Sequence, residues 1–569
     1  MMNDLYASVK RHYEQNLERI RKAALDEINA PLPPLTEEKF ALYEKTGNRL
    51  IYENDYYARR RALLLYGLAC VIEPTPRYVQ RLEKVIRCIC EEETWALPAH
   101  VKRSTNPNWR HTVDLFASET AQSLAEIVSI LKGKLTKEVC TLAKANITHR
   151  VLDPFFNVQT PYAWWEKGAD NWNAVCCGCI GSAALHLGYA NAQSAPIRRL
   201  LESLNYYVAS FPDDGTCLEG LAYFSYGMSY YLTFARQLRE AANDSIDLLN
   251  DKKLAGIAAY QSHAYFSGGG AVPFSDGDPH EKFRLGLSCF LSTLYPEAFI
   301  PPIESAAFWD TDFNYRWATA YRDVIWTSEW LHGADNNTLA PPSREDYKQY
   351  CYPSSQQVLI HDDRNRVTIG IKGGNNGEPH NHNDVGSFFF MKEGEVFLED
   401  LGFGEYTKEY FAPATRYNTL VTRSAGHNVP LPDGKEQSAG KRFACTNFSV
   451  KEGHVAMEIG KAYSQTAQLK REFVYDKEKG ELTITDSSPQ KLTENFVTRI
   501  EPRLVHNGVL LEGKKSSCLL ILPPKQPTQI IPERYKDHYG AEQIAYRILC
   551  NCNSPSVVII KTKMATLCQ

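Results

Sequence analysis

The 569-residue chain lacks the features that would tie it to a membrane, a nucleic acid or an oxidising compartment. No run approaches the ~18 consecutive apolar residues of a membrane span. The opening stretch, Met1-Met2-Asn3-Asp4-Leu5-Tyr6-Ala7-Ser8, has no long apolar core and leads to no small-residue cleavage site, so no secretory signal of the usual kind is expected. An excess of positive charge is missing too. Lys and Arg number 63 against 67 Asp and Glu, and the net charge of -4 gives no global basic field for nucleic acid. Any anionic ligand must therefore be met locally. The fifteen cysteines include Cys88 and Cys90, the group Cys176, Cys177 and Cys179, and Cys550 and Cys552, with no second pair at zinc-knuckle distance. They read as reduced, mostly buried thiols and predict a cytoplasmic protein. There is no short-period repeat and no low-complexity segment.

A single hydrophobic core stops growing at about 250–300 residues, so two or more domains are expected. Up to about residue 335 the apolar periodicity is helical. Segments such as Tyr56 to Ile72, Arg77 to Glu91, Thr112 to Leu131, Trp172 to Leu187 and Gly220 to Ala242 are separated by prolines, among them Pro74, Pro98, Pro161 and Pro212. Many helices with short links suggest paired helices wound into a toroid, or a plain bundle. The period then changes to two. Arg366 to Lys372 alternates, as do His454 to Ile459 and the pair Glu472 to Asp476 and Glu481 to Asp486, joined by Lys477-Glu478-Lys479-Gly480 as a hairpin. The expected organisation is a helical domain over 1–340 and an antiparallel β-sandwich over 341–569.

The most chemically loaded stretch is Glu378-Pro379-His380-Asn381-His382-Asn383-Asp384-Val385-Gly386-Ser387-Phe388-Phe389-Phe390. Read as a strand, it puts His380, His382 and Asp384 on one face, where one histidine can bind a metal while its neighbour handles protons. Asp400 follows the run Glu395 to Glu399, and Ser424-Ala425-Gly426-His427-Asn428 brings another histidine. Two histidines and a carboxylate suit zinc or manganese. The competing reading is a polar loop ahead of a buried strand.

Two stretches stand out in the helical half. Trp164, Trp165 and Trp172 surround Asn171 and Asn173, combining the apolar faces and amide groups that a sugar needs; an N-cap followed by core tryptophans would use the same residues. Tyr223, Tyr226 and Tyr230 share a helix face beyond Asp214 and Glu219. They form either a core stripe or a site where a phenol passes a proton, provided nearby positive charge lowers its pKa.

In this order, these motifs resemble the heparinase II/III-like polysaccharide lyases. The matching pieces are Asp170 to Cys176, Asp214 through Glu219-Gly220 to Tyr226-Gly227, His380 to Phe388, Asp400-Leu401-Gly402, and Tyr417-Asn418-Thr419-Leu420 with Gly426 to Pro430. The resemblance implies an (α/α) toroid followed by an antiparallel β-sandwich, acting on glycosaminoglycans such as hyaluronan, chondroitin sulfate or heparan sulfate, or on their oligosaccharides, by β-elimination. It implies Asn171 or Asn173 as the group that neutralises the uronate carboxylate, and Tyr226 and His380 as the proton-exchanging pair. His382, Asp400 and His427 match the metal ligands, zinc being usual. A histidine often begins the Asn-Thr-Leu segment in relatives; Tyr417 stands there in this chain, and His427 takes the third ligand position. Trp164, Trp165, Trp172, Glu219, Tyr223 and Arg416 are the expected substrate-binding residues, and the partner is an anionic polysaccharide or oligosaccharide. Alginate is the alternative polymer. A glycoside hydrolase built on Asp214 and Glu219, or a non-catalytic carbohydrate-binding protein, are the alternative functions.

Overall fold

The structure is a computed structural model that describes residues 2–335, 346–465 and 468–564. Two compact units result. The first comprises Met1–Phe211, Tyr223–Ala258 and Lys282–Pro341, and the second Pro212–Ala222, Ala259–Glu281 and Pro342–Gln569. The boundary expected at 340/341 falls outside the described residues, and a single cut there does not describe the chain. The segments 212–222 and 259–281 belong with the β-rich unit through long-range polar bonds that periodicity does not reveal. Ser355 N donates to Asp214 Oδ2 at 3.0 Å, and Asp276 is bonded to the histidines at 380 and 382.

In the helical unit, two kinds of helix alternate. Pro76–Cys90 is amphipathic and buries only Tyr78, Leu82, Val85, Ile86, Ile89 and Cys90, whereas Leu115–Ile130 and Asn171–Leu187 are buried nearly all round. Sequence neighbours pack as hairpins: Leu50–Ile72 on Pro76–Cys90, and Asn171–Leu187 on Ala195–Ser210. The first helix, Met2–Asp26, packs against the last, Trp317–Asp335, which closes a ring. Asn16 Oδ1 accepts from Trp309 N at 2.9 Å on that closure. Glu126 takes two 2.8 Å bonds from Arg322; burial opposes its charge, but Arg322 and His186 hold its carboxyl down at about 2.

The second unit holds antiparallel sheets of eight, four and five strands. The predicted hairpin is present as Lys470–Asp476 and Glu481–Ser487, in continuous register from Lys470 opposite Ser487 to Asp476 opposite Glu481. The five-stranded sheet runs Tyr347–Tyr352, Gln357–Asp362, Val367–Lys372, Phe388–Lys392, Glu395–Leu398. Its apolar residues Ile369, Phe388 and Phe390 share a core with Phe473, Ile484, Phe496 and Ile560. A helical unit followed by an antiparallel β unit is the fold class expected from the sequence. No described helix is long and apolar enough to cross a membrane.

Candidate active site

The stretch around His380 is not a strand. Residues 379–387 form turns, bends and irregular chain, and His380 has φ +52°, a left-handed conformation that no extended strand contains. The expected common face of His380, His382 and Asp384 therefore does not exist. Asp384 turns to the buried Lys372 Nζ, with bonds of 2.9 and 3.0 Å.

His382 instead meets Asp400 and His427. Their candidate ligand atoms all lie within 4.8 Å of one another, and all three side chains are fully buried. The fold builds this group from three loops. His382 precedes Phe388–Lys392, Asp400 follows Glu395–Leu398, and His427 is held by its neighbour Asn428. The Asn428 amide donates to Phe388 O at 2.7 Å and Glu399 O at 2.8 Å, and its carbonyl accepts from Val497 N at 2.7 Å. Gly402, with φ +66°, lets the loop after Asp400 approach Gly277, where any Cβ would collide with the Gly277 carbonyl.

The residues fit a metal ion. His382 Nδ1 is buried without a hydrogen-bond partner, and His427 Nδ1 and Asp400 Oδ2 have only each other, 3.4 Å apart, an arrangement that a bound cation would complete. The other ring nitrogens are committed: His382 Nε2 to Asp276 Oδ1 and His427 Nε2 to Val421 O, each at 2.9 Å. A histidine whose second nitrogen is anchored on a carboxylate or carbonyl is the usual form of a metal-binding imidazole. These three residues could hold a divalent ion.

Asp276 is the hub that sequence reasoning missed. It is fully buried and accepts from His380 Nδ1 at 2.6 Å, His382 Nε2 at 2.9 Å, Tyr406 at 3.0 Å, Tyr410 at 2.5 Å and Arg416 at 3.3 Å. Burial opposes its charge, but His380 and His382 hold it well below the usual carboxylate range. The bond to Nδ1 leaves Nε2 as the nitrogen of His380 that exchanges a proton. The His380 side chain is 22% exposed, whereas that of His382 is inaccessible, which separates the reactive histidine from the ligand. Glu219 is buried beside it, with Oε2 3.9 Å from His380 Nε2. Tyr417 accepts from Asn381 Nδ2 at 3.2 Å. Arg416, an expected substrate contact, is tied to Asp276 and to Asn381 O. A break in helical pattern at Gly268-Gly269-Gly270 was the available signal that the segment before Asp276 is no helix.

In the helical unit the expected residues separate. Asn173 is fully buried and its amide donates to Trp165 O, Glu166 O and Ser203 Oγ at 3.0–3.1 Å, so it holds the turn at 164–167 and cannot neutralise a substrate. Asn171, two positions earlier in the same helix and also buried, makes no side-chain hydrogen bond among the described residues. Trp165 is also core: its ring stacks on Phe155, and its Nε1 donates to Val113 O at 3.2 Å. Trp164 is 60% exposed, 5.2 Å from the ring of the half-buried Trp172, and these two keep the expected sugar-facing character. Replacing Asn173 by Ala is expected to cost about 2–3 kcal/mol in denaturant unfolding by leaving buried acceptors unpaired. Asn171→Ala, which removes no side-chain hydrogen bond among the described residues, should cost less, about 1 kcal/mol. Equal losses would contradict this division.

Tyr223 is half-buried one turn before Tyr226, and Tyr226 is almost fully buried. The Tyr226 hydroxyl donates to Glu119 Oε1, and the Arg316 guanidinium lies 3.9 Å over its ring. The expected lowering of its pKa does not occur. Burial and then Glu119 push the phenol well above its ordinary value, against the pull of Arg316, so Tyr226 is protonated at neutral pH. Glu119 itself is pushed up to about 7 by burial, opposed by Arg316. Its unfolded value is about 4.3, so folding favours its protonated form. The stability it contributes is complete below that value and is lost as pH rises through about 7. Relative to Glu119→Gln, the wild type should lose about 3 kcal/mol of unfolding free energy between about pH 4.5 and 7.5. Parallel pH profiles for the two proteins would contradict the assignment.

No family model and no curated protein sequence matches this chain. Solved structures do. A crystal structure of heparinase III is 14% identical with a TM-score of 0.60, covering 98% of this chain and 91% of that one. The heparan sulfate lyase HepC from Pedobacter heparinus is 12% identical with a TM-score of 0.56, covering 98% of this chain and 88% of that one. At these identities the likeness establishes the fold, and it bears out the heparinase-like resemblance at that level.

Proposed function

We propose that this chain, which has the fold of heparinase III, is a polysaccharide lyase that cleaves uronic-acid-containing glycosaminoglycans or their oligosaccharides by β-elimination. The observation that carries the reading is His380: a partly exposed imidazole in a left-handed backbone conformation, its Nδ1 bonded to Asp276 and its Nε2 near Glu219. That is the arrangement of a general base positioned by a buried carboxylate.

In the proposed reaction, His380 Nε2 takes the proton from C5 of the uronate. The electron pair forms the C4=C5 double bond as the C4–O bond breaks, and an acid protonates the departing glycosidic oxygen. Tyr226 is assigned the acid role on the resemblance alone; its raised pKa and its bond to Glu119 keep the proton on the phenol, which makes it a weak acid there. The C5 proton is weakly acidic while the neighbouring carboxylate is negative. An amide donor on that carboxylate, assigned to Asn171, spreads the developing charge and contributes about 3–4 kcal/mol. His382, Asp400 and His427 would hold the ion, most simply zinc, with manganese the alternative. Bound there, it would supply a fixed positive charge that orders the loop carrying His380. Trp164, Trp172, Tyr223 and Arg416 complete the proposed substrate contacts, and a cytoplasmic location with preference for oligosaccharides is part of the proposal.

A glycoside hydrolase would need two available carboxylates. Asp214 is engaged with the Thr216 hydroxyl at 2.7 Å and Ser355 N at 3.0 Å, which disfavours that reading. Ultraviolet absorbance from the C4=C5 bond, followed on hyaluronan, chondroitin sulfate, heparan sulfate and alginate, tests the proposal. Growth of that absorbance is the expected result. Cleavage without it would establish hydrolysis, and binding without cleavage would leave a carbohydrate-binding protein.

A further inference from the structure

The helical unit holds an imidazole set on a buried carboxylate that the proposed chemistry leaves unused. His100 ends the short turn Pro98–His100, and its Nδ1 lies 2.7 Å from Oδ2 of Asp114, the N-cap of Leu115–Ile130. A carboxylate only accepts, so Nδ1 carries the hydrogen of that bond. Nε2 has no hydrogen-bond partner among the described residues and is open to solvent. The His100 side chain is 13% exposed against 2% for Asp114. The arrangement repeats, within the helical unit, the setting of His380 on Asp276.

Packing holds the ring as firmly as the bond does. It stacks on Phe116, with centroids 5.9 Å and planes 21° apart, and meets Trp172 edge to face at 4.7 Å. Trp172 lies in turn 5.2 Å from the exposed Trp164, so the imidazole and the two indoles form one continuous row. These are the tryptophans already assigned to the sugar.

Asp114 does not need the histidine. Its carboxylate already accepts from Leu97 N at 3.2 Å and from Ala117 N at 2.8 Å, which satisfies the start of the helix. The imidazole adds a rigidly held nitrogen beside the tryptophans, with its hydrogen-bonding capacity unspent.

We propose that His100 is a further substrate-binding residue, whose Nε2 accepts a hydrogen bond from a ring hydroxyl of the sugar that packs on Trp164 and Trp172. Indole faces take the C–H face of a pyranose without distinguishing its hydroxyls, whereas a fixed acceptor does distinguish them. In a neutral imidazole with hydrogen on Nδ1, Nε2 is an acceptor, which matches a hydroxyl donor. A carboxylate paired with an imidazole carries no net positive charge in either state of the ring. That disfavours the uronate carboxylate or a sulfate as the group bound. His100 therefore orients one sugar ring and acts on no bond that breaks. That this sugar belongs to a uronate chain rests on the lyase reading; the pairing of acceptor and indoles does not.

The test combines equilibrium binding, steady-state kinetics and thermal unfolding, on size-defined oligosaccharides of hyaluronan, chondroitin sulfate, heparan sulfate and alginate. His100→Ala and His100→Phe are expected to weaken binding and raise KM about 3- to 10-fold, the worth of one hydrogen bond, with kcat within about 2-fold. His100→Phe keeps a ring against Phe116 and Trp172, so its loss of affinity reads the acceptor and not the packing. His100→Gln, which places an acceptor oxygen near the position of Nε2, should recover most of the affinity. A purely structural role would reverse that order, with His100→Phe binding as the wild type and His100→Gln failing to recover, and would overturn the proposal. Wild-type affinity in both His100→Ala and His100→Phe, or a wild type that binds none of these oligosaccharides, would overturn it too. Binding that depends on His100 without unsaturated product would instead overturn the lyase reading and leave the role of His100 standing.

Discussion

His380→Ala protein is expected to turn over uronate substrates about 10²- to 10⁴-fold more slowly than the wild type, with little change in KM. The expectation follows from a division of labour between neighbouring histidines. His382 is buried with its Nε2 spent on Asp276, whereas His380 reaches solvent and bonds Asp276 through Nδ1. Asp276→Asn should act in the same direction, since an amide can donate to the histidines and so disturb the tautomer that presents Nε2. Asp276 is a positioning residue, so its loss should lower kcat while wild-type substrate affinity survives. Steady-state kinetics with circular dichroism separates this from unfolding. Turnover by His380→Ala at the wild-type rate would remove it as the base.

The second large effect concerns the His382, Asp400, His427 group. Three buried polar atoms converge there, His382 Nδ1 without a hydrogen-bond partner and His427 Nδ1 facing Asp400 Oδ2 at 3.4 Å, and a bound cation would satisfy all three. Purified protein is expected to contain one divalent ion per chain by elemental analysis. His427→Ala should lose that ion and about 4 kcal/mol of stability, and chelation of the wild type should lower its melting temperature in the same sense. His427 touches no proposed reacting atom, so metal content and melting temperature read the site apart from activity. Metal-free protein with unchanged thermal stability would contradict the ligand assignment.

Much of this was legible in the chain. The change of period from helical to alternating separated the two kinds of structure, and the Lys470–Asp476 and Glu481–Ser487 hairpin was readable from its alternation and its glycine turn. His382, Asp400 and His427 were recognisable by residue type and resemblance, because metal ligands come from a short menu. The geometry of the first site was not legible. Alternation suggested a strand through His380, but its φ of +52° and the pull of Lys372 on Asp384 break that face. Asp276 could not be found from spacing, since it lies 104 residues from His380 and joins it only through the fold. The roles of Asn173 and Trp165 were hidden for a related reason. Both look like ligand-binding residues in sequence, and only burial and three amide bonds reveal them as structure. The state of Tyr226 depended on Glu119 and Arg316. Glu119 lies in a helix otherwise buried nearly all round, and a carboxylate at such a position is itself a signal that it has a specific partner.

The most direct measurement of the central claim is cleavage of a defined uronate oligosaccharide in water enriched with heavy oxygen, with products analysed by mass spectrometry. Elimination breaks C4–O without adding water, so both products should carry ordinary oxygen, and the fragment from the reducing side, with C4=C5 at its new non-reducing end, should be one water lighter than its hydrolysis counterpart. Heavy oxygen in the new reducing end, with no unsaturated partner, would contradict the account.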